Sequence, residues 1–205
     1  MSIVLDIKRQ RGAVRLTLDD GPALLIPTPL YRERTVRLGS DLDVEAYRAW
    51  MAERGRALAL DTAVRYLAAR PRTRWEVAQR LTQAGYGADA CEQALARLER
   101  GGYLNDAQFA DMWTQTRAGR GFGSARIARE LAEKGVERQQ AADALAQVDA
   151  EDAQRAAKIQ ALKLLRRVHG RDEADTRRKV IAALARRGYN LQQARLALAQ
   201  ALKET

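Results

Sequence analysis

One spacing governs what this chain can fold into. An apolar residue, three positions, Leu, three positions, Gly, then eight positions and Ala-Leu occur in that order three times. The copies are Val77, Leu81, Gly85, Ala94 and Leu95; Ile127, Leu131, Gly135, Ala144 and Leu145; and Val180, Leu184, Gly188, Ala197 and Leu198. A step of four puts the apolar residue and Leu on one helical face, and Gly four later falls where a left-handed residue ends the helix. The Ala-Leu pair then belongs to a second amphipathic helix, which Leu98, Val148 and Leu202 continue. Upstream of each copy, helical spacing recurs in Leu60, Val64 and Leu67; in Phe109, Met112, Trp113 and Thr116; and in Ile159, Leu162 and Leu165. Each unit is therefore expected to hold three helices. A unit this small buries only a thin core, so repeats gain stability by stacking, which predicts an elongated, curved module.

The start of the chain has a different period. Ile3 to Ile7 and Val14 to Leu18 alternate apolar and polar residues around Arg11-Gly12, which predicts a β-hairpin. Leu24 to Ile26, stopped by Pro27 and Pro29, reads as a further strand, and Thr35 to Leu38 as a last short one. Ser40 and Asp43 resemble a capping box for a linking helix that carries Leu42, Ala46, Ala49 and Trp50 up to Gly55. The expected architecture is mainly α: a small N-terminal β-hairpin or sheet plus helix over 1–56, then three-helix repeats over 57–104, 105–150 and 151–205.

Only 5% of residues are aromatic, whereas Ala, Leu and Arg abound, which argues against an all-β fold. The single cysteine, Cys91, cannot form an internal disulfide, and with one histidine, His169, no zinc cluster can assemble. These features fit a reducing compartment, the cytoplasm, and no apolar stretch reads as a membrane span or signal peptide. No metal or cofactor is expected. Cys91 lies on an apolar face, and the Asp19-Asp20 pair sits in a turn, so nothing supports catalysis. The net charge is +10, and residues 151–205 carry 13 basic against 6 acidic groups, most of the excess. Such a concentration attracts polyanions, nucleic acid first.

The second unit resembles the RecX family, regulators of the RecA recombinase. The resemblance rests on Leu104-Asn105-Asp106, Phe109-Ala110, Trp113, Arg117, the loop Gly119-Arg120-Gly121-Phe122-Gly123, Ile127, Glu130-Leu131 and Gly135. It extends back through Leu67, Arg70, Thr73, Glu76, Leu81 and Gly85, and forward through the third unit, covering roughly 58–202; Gln108 and Ser124 depart from the family's usual Arg and Pro. The resemblance implies a non-enzymatic cytoplasmic protein that binds RecA and its filament on single-stranded DNA. Such proteins thereby restrain recombination, DNA repair and the SOS response. The competing reading is a helical-repeat scaffold that binds nucleic acid through charge alone, without sequence preference.

Two surfaces are singled out. In the second unit, Arg117, Arg120, Phe122 and Arg126 surround a Gly-rich loop. An exposed Phe among guanidinium groups would make a protein contact there, and the start of the following helix offers amides to a phosphate. The alternative is a purely structural loop. In the third unit, Lys163, Arg166, Arg167, Arg171, Arg177, Arg178, Lys179, Arg186 and Arg187 form the densest positive run. Arg177, Arg178 and Lys179 are expected to open a helix, where cations oppose the dipole, which suggests a use other than stability. Weak, salt-dependent binding of single-stranded DNA is expected, with an acidic protein surface or a plain solvated face as alternatives, and the chain is expected to act as a monomer. Trp75 and Trp113 read as core residues.

Overall fold

The computed structural model describes residues 1–204. The backbone forms two compact units, Met1–Asn105 and the segment from Asp106 onward. Among the described residues there are ten helices and four short strands, a mainly helical chain with a small N-terminal antiparallel sheet, in agreement with the sequence.

In the first unit, β1 (Ser2–Gln10) and β2 (Ala13–Leu18) pair antiparallel up to Gln10 opposite Ala13. This leaves Arg11-Gly12 as a two-residue turn, with Gly12 at φ +90°. Only glycine enters that region without steric cost. β3 (Leu24–Pro27) adds beside β2. Val14, Leu16 and Leu18 are buried while Arg15 and Thr17 between them are exposed, the alternation expected of a sheet covered on one face.

Two local expectations are corrected. Pro27 and Pro29 do more than stop a strand, because they open a short helix, α1 (Thr28–Glu33), whose first turn accepts proline readily. Thr35 to Leu38 forms no strand. Only Val36 of that segment is buried, and the chain is tied instead at Gly39, whose N–H donates to Val4 O at 2.8 Å, and at Ser40, whose carbonyl accepts from Val4 N at 3.1 Å. Pairing with β1 follows at β4 (Asp41–Leu42) and completes the order β3-β2-β1-β4.

The linking helix is also different. α2 (Val44–Leu67) starts behind Asp43, whose side chain accepts from Ala46 N at 2.9 Å, while Ser40 Oγ donates to Arg37 O. It then runs straight through Gly55 and across the expected boundary at 56/57. The reason lies in its two cores. Tyr47, Trp50 and Met51 close the core of the sheet; Ala59, Ala63, Tyr66 and Leu67 close the next one with α3 (Arg74–Gln83) and α4 (Ala88–Arg100); Leu58 touches both. A helical glycine costs about 1 kcal/mol relative to alanine, little beside the apolar surface this helix covers at both ends.

The second unit contains α5 (Asp106–Gly119), α6 (Ser124–Glu133) and α7 (Arg138–Ala146) around one core, and α8 (Ala150–Leu165), α9 (Glu173–Arg186) and α10 (Leu191–Leu202) around another. In all three bundles the expected stripe holds in part, since Leu60 and Leu67, Phe109 and Trp113, and Leu162 and Leu165 pack on the cores, but the centre of the buried face is shifted. Alanines face inward, namely Ala59 and Ala63, Ala110, and Ala157 and Ala161, while Val64, Met112 and Ile159 are exposed. Small side chains at the contact let helix axes approach closely, which a thin three-helix core requires.

The repeated glycines end their helices as the spacing predicts. Gly85, Gly135 and Gly188 have φ of +87°, +74° and +94°. Each donates its N–H to the residue three before it, and the next residue's N–H returns to the repeat's Leu: Tyr86 to Leu81, Val136 to Leu131, Tyr189 to Leu184. This pair of bonds is a Schellman cap, and its apolar contact is present too, since Tyr86, Val136 and Tyr189 are all buried. At Gly135, Asn should be tolerated better than Val, which is expected to cost roughly 1–2 kcal/mol. At Gly188 even Ala should cost more than it does at Gly135, because a Cβ there would collide with Arg126 N and Cβ. Urea denaturation of the single variants measures both differences.

Candidate partner and nucleic-acid interface

The Gly-rich loop is a joint between two bundles of the second unit. α5 ends in its own Schellman cap: Gly121 has φ +76° and donates to Ala118 O, and Phe122 N donates to Arg117 O. This makes Phe122 the residue that folds back on the helix before it. It is half-buried, packs on the core of α5 to α7, and has the guanidinium groups of Arg126, Arg117 and Arg187 at 4.4, 5.3 and 5.4 Å from its ring centre. The expectation of an exposed ring is therefore corrected. The sequence signal that would have found this is a left-handed glycine followed by an apolar residue, a pattern that also occurs at Gly85-Tyr86, Gly135-Val136 and Gly188-Tyr189.

The start of α6 is equally committed. Gly123 N donates to Arg187 O at 2.9 Å and Ala125 N to Gly188 O at 3.2 Å, so the carbonyls at the end of α9 already occupy amides that a phosphate would need. A helix C-terminus facing a helix N-terminus satisfies orphan groups on both and aligns their dipoles favourably. A Cβ on Gly123 would collide with the Gly188 backbone, so the contact admits no side chain. The phosphate-cradle reading of this loop is overturned.

Sequence reasoning missed Glu130, the centre of the cluster. Its carboxylate accepts from Trp113 Nε1 at 3.1 Å and from Arg126 Nε at 3.1 Å. Arg117 Nε lies 2.6 Å from it but off the N–H axis, so that contact is one of charge and not a hydrogen bond. Trp113 is half-buried and stacks on Phe109 at 5.7 Å. The structure thus joins Arg117, Phe122 and Arg126 with Glu130 and Arg187, and leaves Arg120 of the quartet exposed. Trp75 is corrected as well: it is 47% exposed, since it lies two residues, about 200°, from the buried Val77 on α3.

In the third bundle the helix begins earlier than expected. Asp172 caps α9, and Glu173 and Asp175 fill its first turn. Arg177 pairs with Glu173, Arg178 with Asp175 at 2.9 Å, and Lys179 with Asp175 at 3.0 Å. These cations do not oppose the dipole, because acidic residues precede them, and the inference drawn from their placement no longer holds. Lys163, Arg166, Arg167, Arg171 and Arg186 are exposed and have no ion-pair partner among the described residues. Arg187 belongs with Phe122.

Asp175 is buried. The Arg171 N–H at 3.0 Å, then Arg178 and Lys179, hold its carboxyl well below the usual carboxylate range. Cys91 is buried, and that burial pushes its thiol up, away from nucleophilic reactivity. Among the described residues no helix is long and apolar enough to cross a membrane.

A chain of consecutive three-helix bundles with glycine caps at matching positions, preceded by a small sheet, belongs to the tandem helical-repeat proteins. Residues 59–98 match the family profile described as RecX, first three-helix domain, and residues 105–145 that of RecX, second three-helix domain. The chain is 36% identical over 153 residues to the regulatory protein RecX of Streptomyces coelicolor, covering 74% of this chain and 79% of that one. It is 41% identical over 140 residues to RecX of Mycobacterium ulcerans, covering 67% and 79%. The crystal structure of a regulatory protein RecX superimposes with a TM-score of 0.67 at 22% identity, covering 96% of this chain and 98% of the other. RecX from Lactobacillus salivarius gives 0.66 at 21%, covering 72% and 96%. The chain belongs to the RecX family of regulatory proteins.

Two measurements test this geometry. Glu130→Ala should lower stability by about 2 kcal/mol, since it strands Arg117 and Arg126 around a half-buried site, and Phe122→Ala should lower the melting temperature as a core truncation does. A carboxyl held below its unfolded value contributes stability that is complete above about pH 5 and is lost as pH falls toward its folded value. Acid unfolding followed by circular dichroism should therefore show a flatter loss of stability below that pH for Asp175→Asn than for the parent.

Proposed function

We propose that this chain is a non-enzymatic inhibitor of the RecA recombinase in the cytoplasm. In this reading it acts as a monomer, binds RecA and its filaments on single-stranded DNA, and modulates recombination, DNA repair and the SOS response. Membership of a family of regulatory proteins carries this reading, together with the motif resemblance that implies the recombinase as partner. DNA binding falls to the third bundle, where Lys163, Arg166, Arg167, Arg171 and Arg186 have no ion-pair partner among the described residues and are available to phosphates, whereas Arg177, Arg178 and Lys179 are engaged by carboxylates. Protein contact falls to the second bundle around Arg120, the exposed member of the loop quartet, with Arg117, Phe122 and Arg126 shaping the surface behind it. The three-helix units follow the boundaries 57–104, 105–150 and 151–205, with α2 shared between the first of them and the N-terminal sheet.

The deciding experiment is DNA-dependent ATP hydrolysis by the cognate recombinase, with and without the chain. Dose-dependent inhibition is expected, and an unchanged rate at saturating protein would overturn the reading. The abundance of unpaired cations also favours the second reading, a sequence-independent nucleic-acid scaffold, which is distinguished by DNA binding without any effect on the recombinase. In a filter-binding titration, Lys163→Ala, Arg166→Ala and Arg167→Ala together should make the slope of log K against log salt shallower by about 2, at roughly 0.7 for each phosphate that is no longer neutralised. The Arg177, Arg178 and Lys179 triple Ala variant should change that slope less.

A further inference from the structure

A cleft of about 620 Å³ lies within the second unit, bordered by α5, α7 and α8. Phe122, Ile127, Leu145, Val148 and Tyr189 give it an apolar lining. Three carboxylates, Asp111, Asp149 and Asp152, also line it, and no Lys or Arg does. In a chain of net charge +10 this is an unusual place for negative charge to gather. Two of the three have no cationic partner among the described residues: Asp111 accepts from Gln147 Nε2 at 3.1 Å, and Asp149 caps α8 by accepting from Glu151 N and Asp152 N. Asp152 pairs with Arg155 at 2.8 Å, where both side chains are exposed.

Tyr189 lines the cleft but is only 4% exposed and belongs to the core of the third bundle, and its hydroxyl is itself buried, so it adds to the apolar wall. An apolar recess edged by carboxylates without cationic partners suits a cation carried on an apolar stem, and it repels phosphate.

We propose that this cleft receives an Arg or Lys side chain, presented beside an apolar residue, from the surface of a partner protein. The carboxylates of Asp111 and Asp149 attract the cation, and the apolar lining takes up the neighbouring side chain. The proposal rests on the reading that the chain works by binding a protein. Its test uses no recombinase, so the two can fail separately.

The full chain, labelled with ¹⁵N, is titrated with the blocked dipeptides N-acetyl-Leu-Arg-amide and N-acetyl-Leu-Glu-amide while amide resonances are followed. Saturable shifts at Phe122, Ile127, Val148 and Tyr189 are expected with the basic probe alone. Asp111→Asn with Asp149→Asn should weaken that binding at least about fivefold, while the Gln147 bond and the α8 cap survive because Asn accepts and caps as Asp does. Ala153→Leu, which narrows the cleft and leaves the carboxylates in place, should abolish the shifts with an unchanged melting temperature. No saturable shift at these residues, equal shifts with the acidic probe, or undiminished affinity in the double Asn variant would overturn the proposal.

Discussion

The arrangement of the second unit depends on one backbone contact, the meeting of the end of α9 with the start of α6. Gly123 and Gly188 lie so close that neither can carry a side chain, and carbonyls at one helix end accept the amides of the other. Because both partners are backbone, the contact fixes position and direction without relying on any rotamer. Around it the side chains fall into place: Arg187 leaves α9 toward Phe122, Phe122 closes the end of α5, and Arg117 and Arg126 turn to Glu130. The same contact deprives the loop of an anion site, since the amides that make a helix start attractive to phosphate are already bonded.

Charge follows from this organisation in an instructive way. The basic excess of residues 151–205 suggests one continuous DNA-binding run, but local acids divide it. Glu173 and Asp175 engage the cations at the front of α9, whereas the cations at the end of α8, at Arg171 and at Arg186 keep their charge for solvent or ligand. Exposed pairs of this kind are individually weak, so their significance is in which charges they leave uncompensated. The cleft beside α5, α7 and α8 is the converse case, carboxylates left uncompensated in a basic chain.

α2 shows how far local signals can mislead about boundaries. Gly55 looks like a helix end, and in each repeat such a glycine is one. The difference lies in the neighbouring residue and in the surroundings. Gly85, Gly135 and Gly188 each precede an apolar residue that folds back onto the repeat's Leu, whereas Gly55 precedes Arg56 and sits between two cores that both need the helix. Burial on both sides outweighs the propensity cost of one residue.

The sequence by itself determined the number of helices in each repeat, the three glycine caps with positive φ, the hairpin turn at Gly12 and the family, because these rest on periodicities and turn chemistry that act within a few residues. It did not determine which residues centre the inward face of each upstream helix, the continuity of α2, the fate of Phe122 or the pairing of the basic run. Those depend on distances between residues far apart in the chain: Arg187 with Phe122, Glu130 with Trp113, Gly188 with Gly123. A side chain's role as ligand, core or ion pair is settled by what packing brings within a few ångströms of it, and no local pattern carries that information.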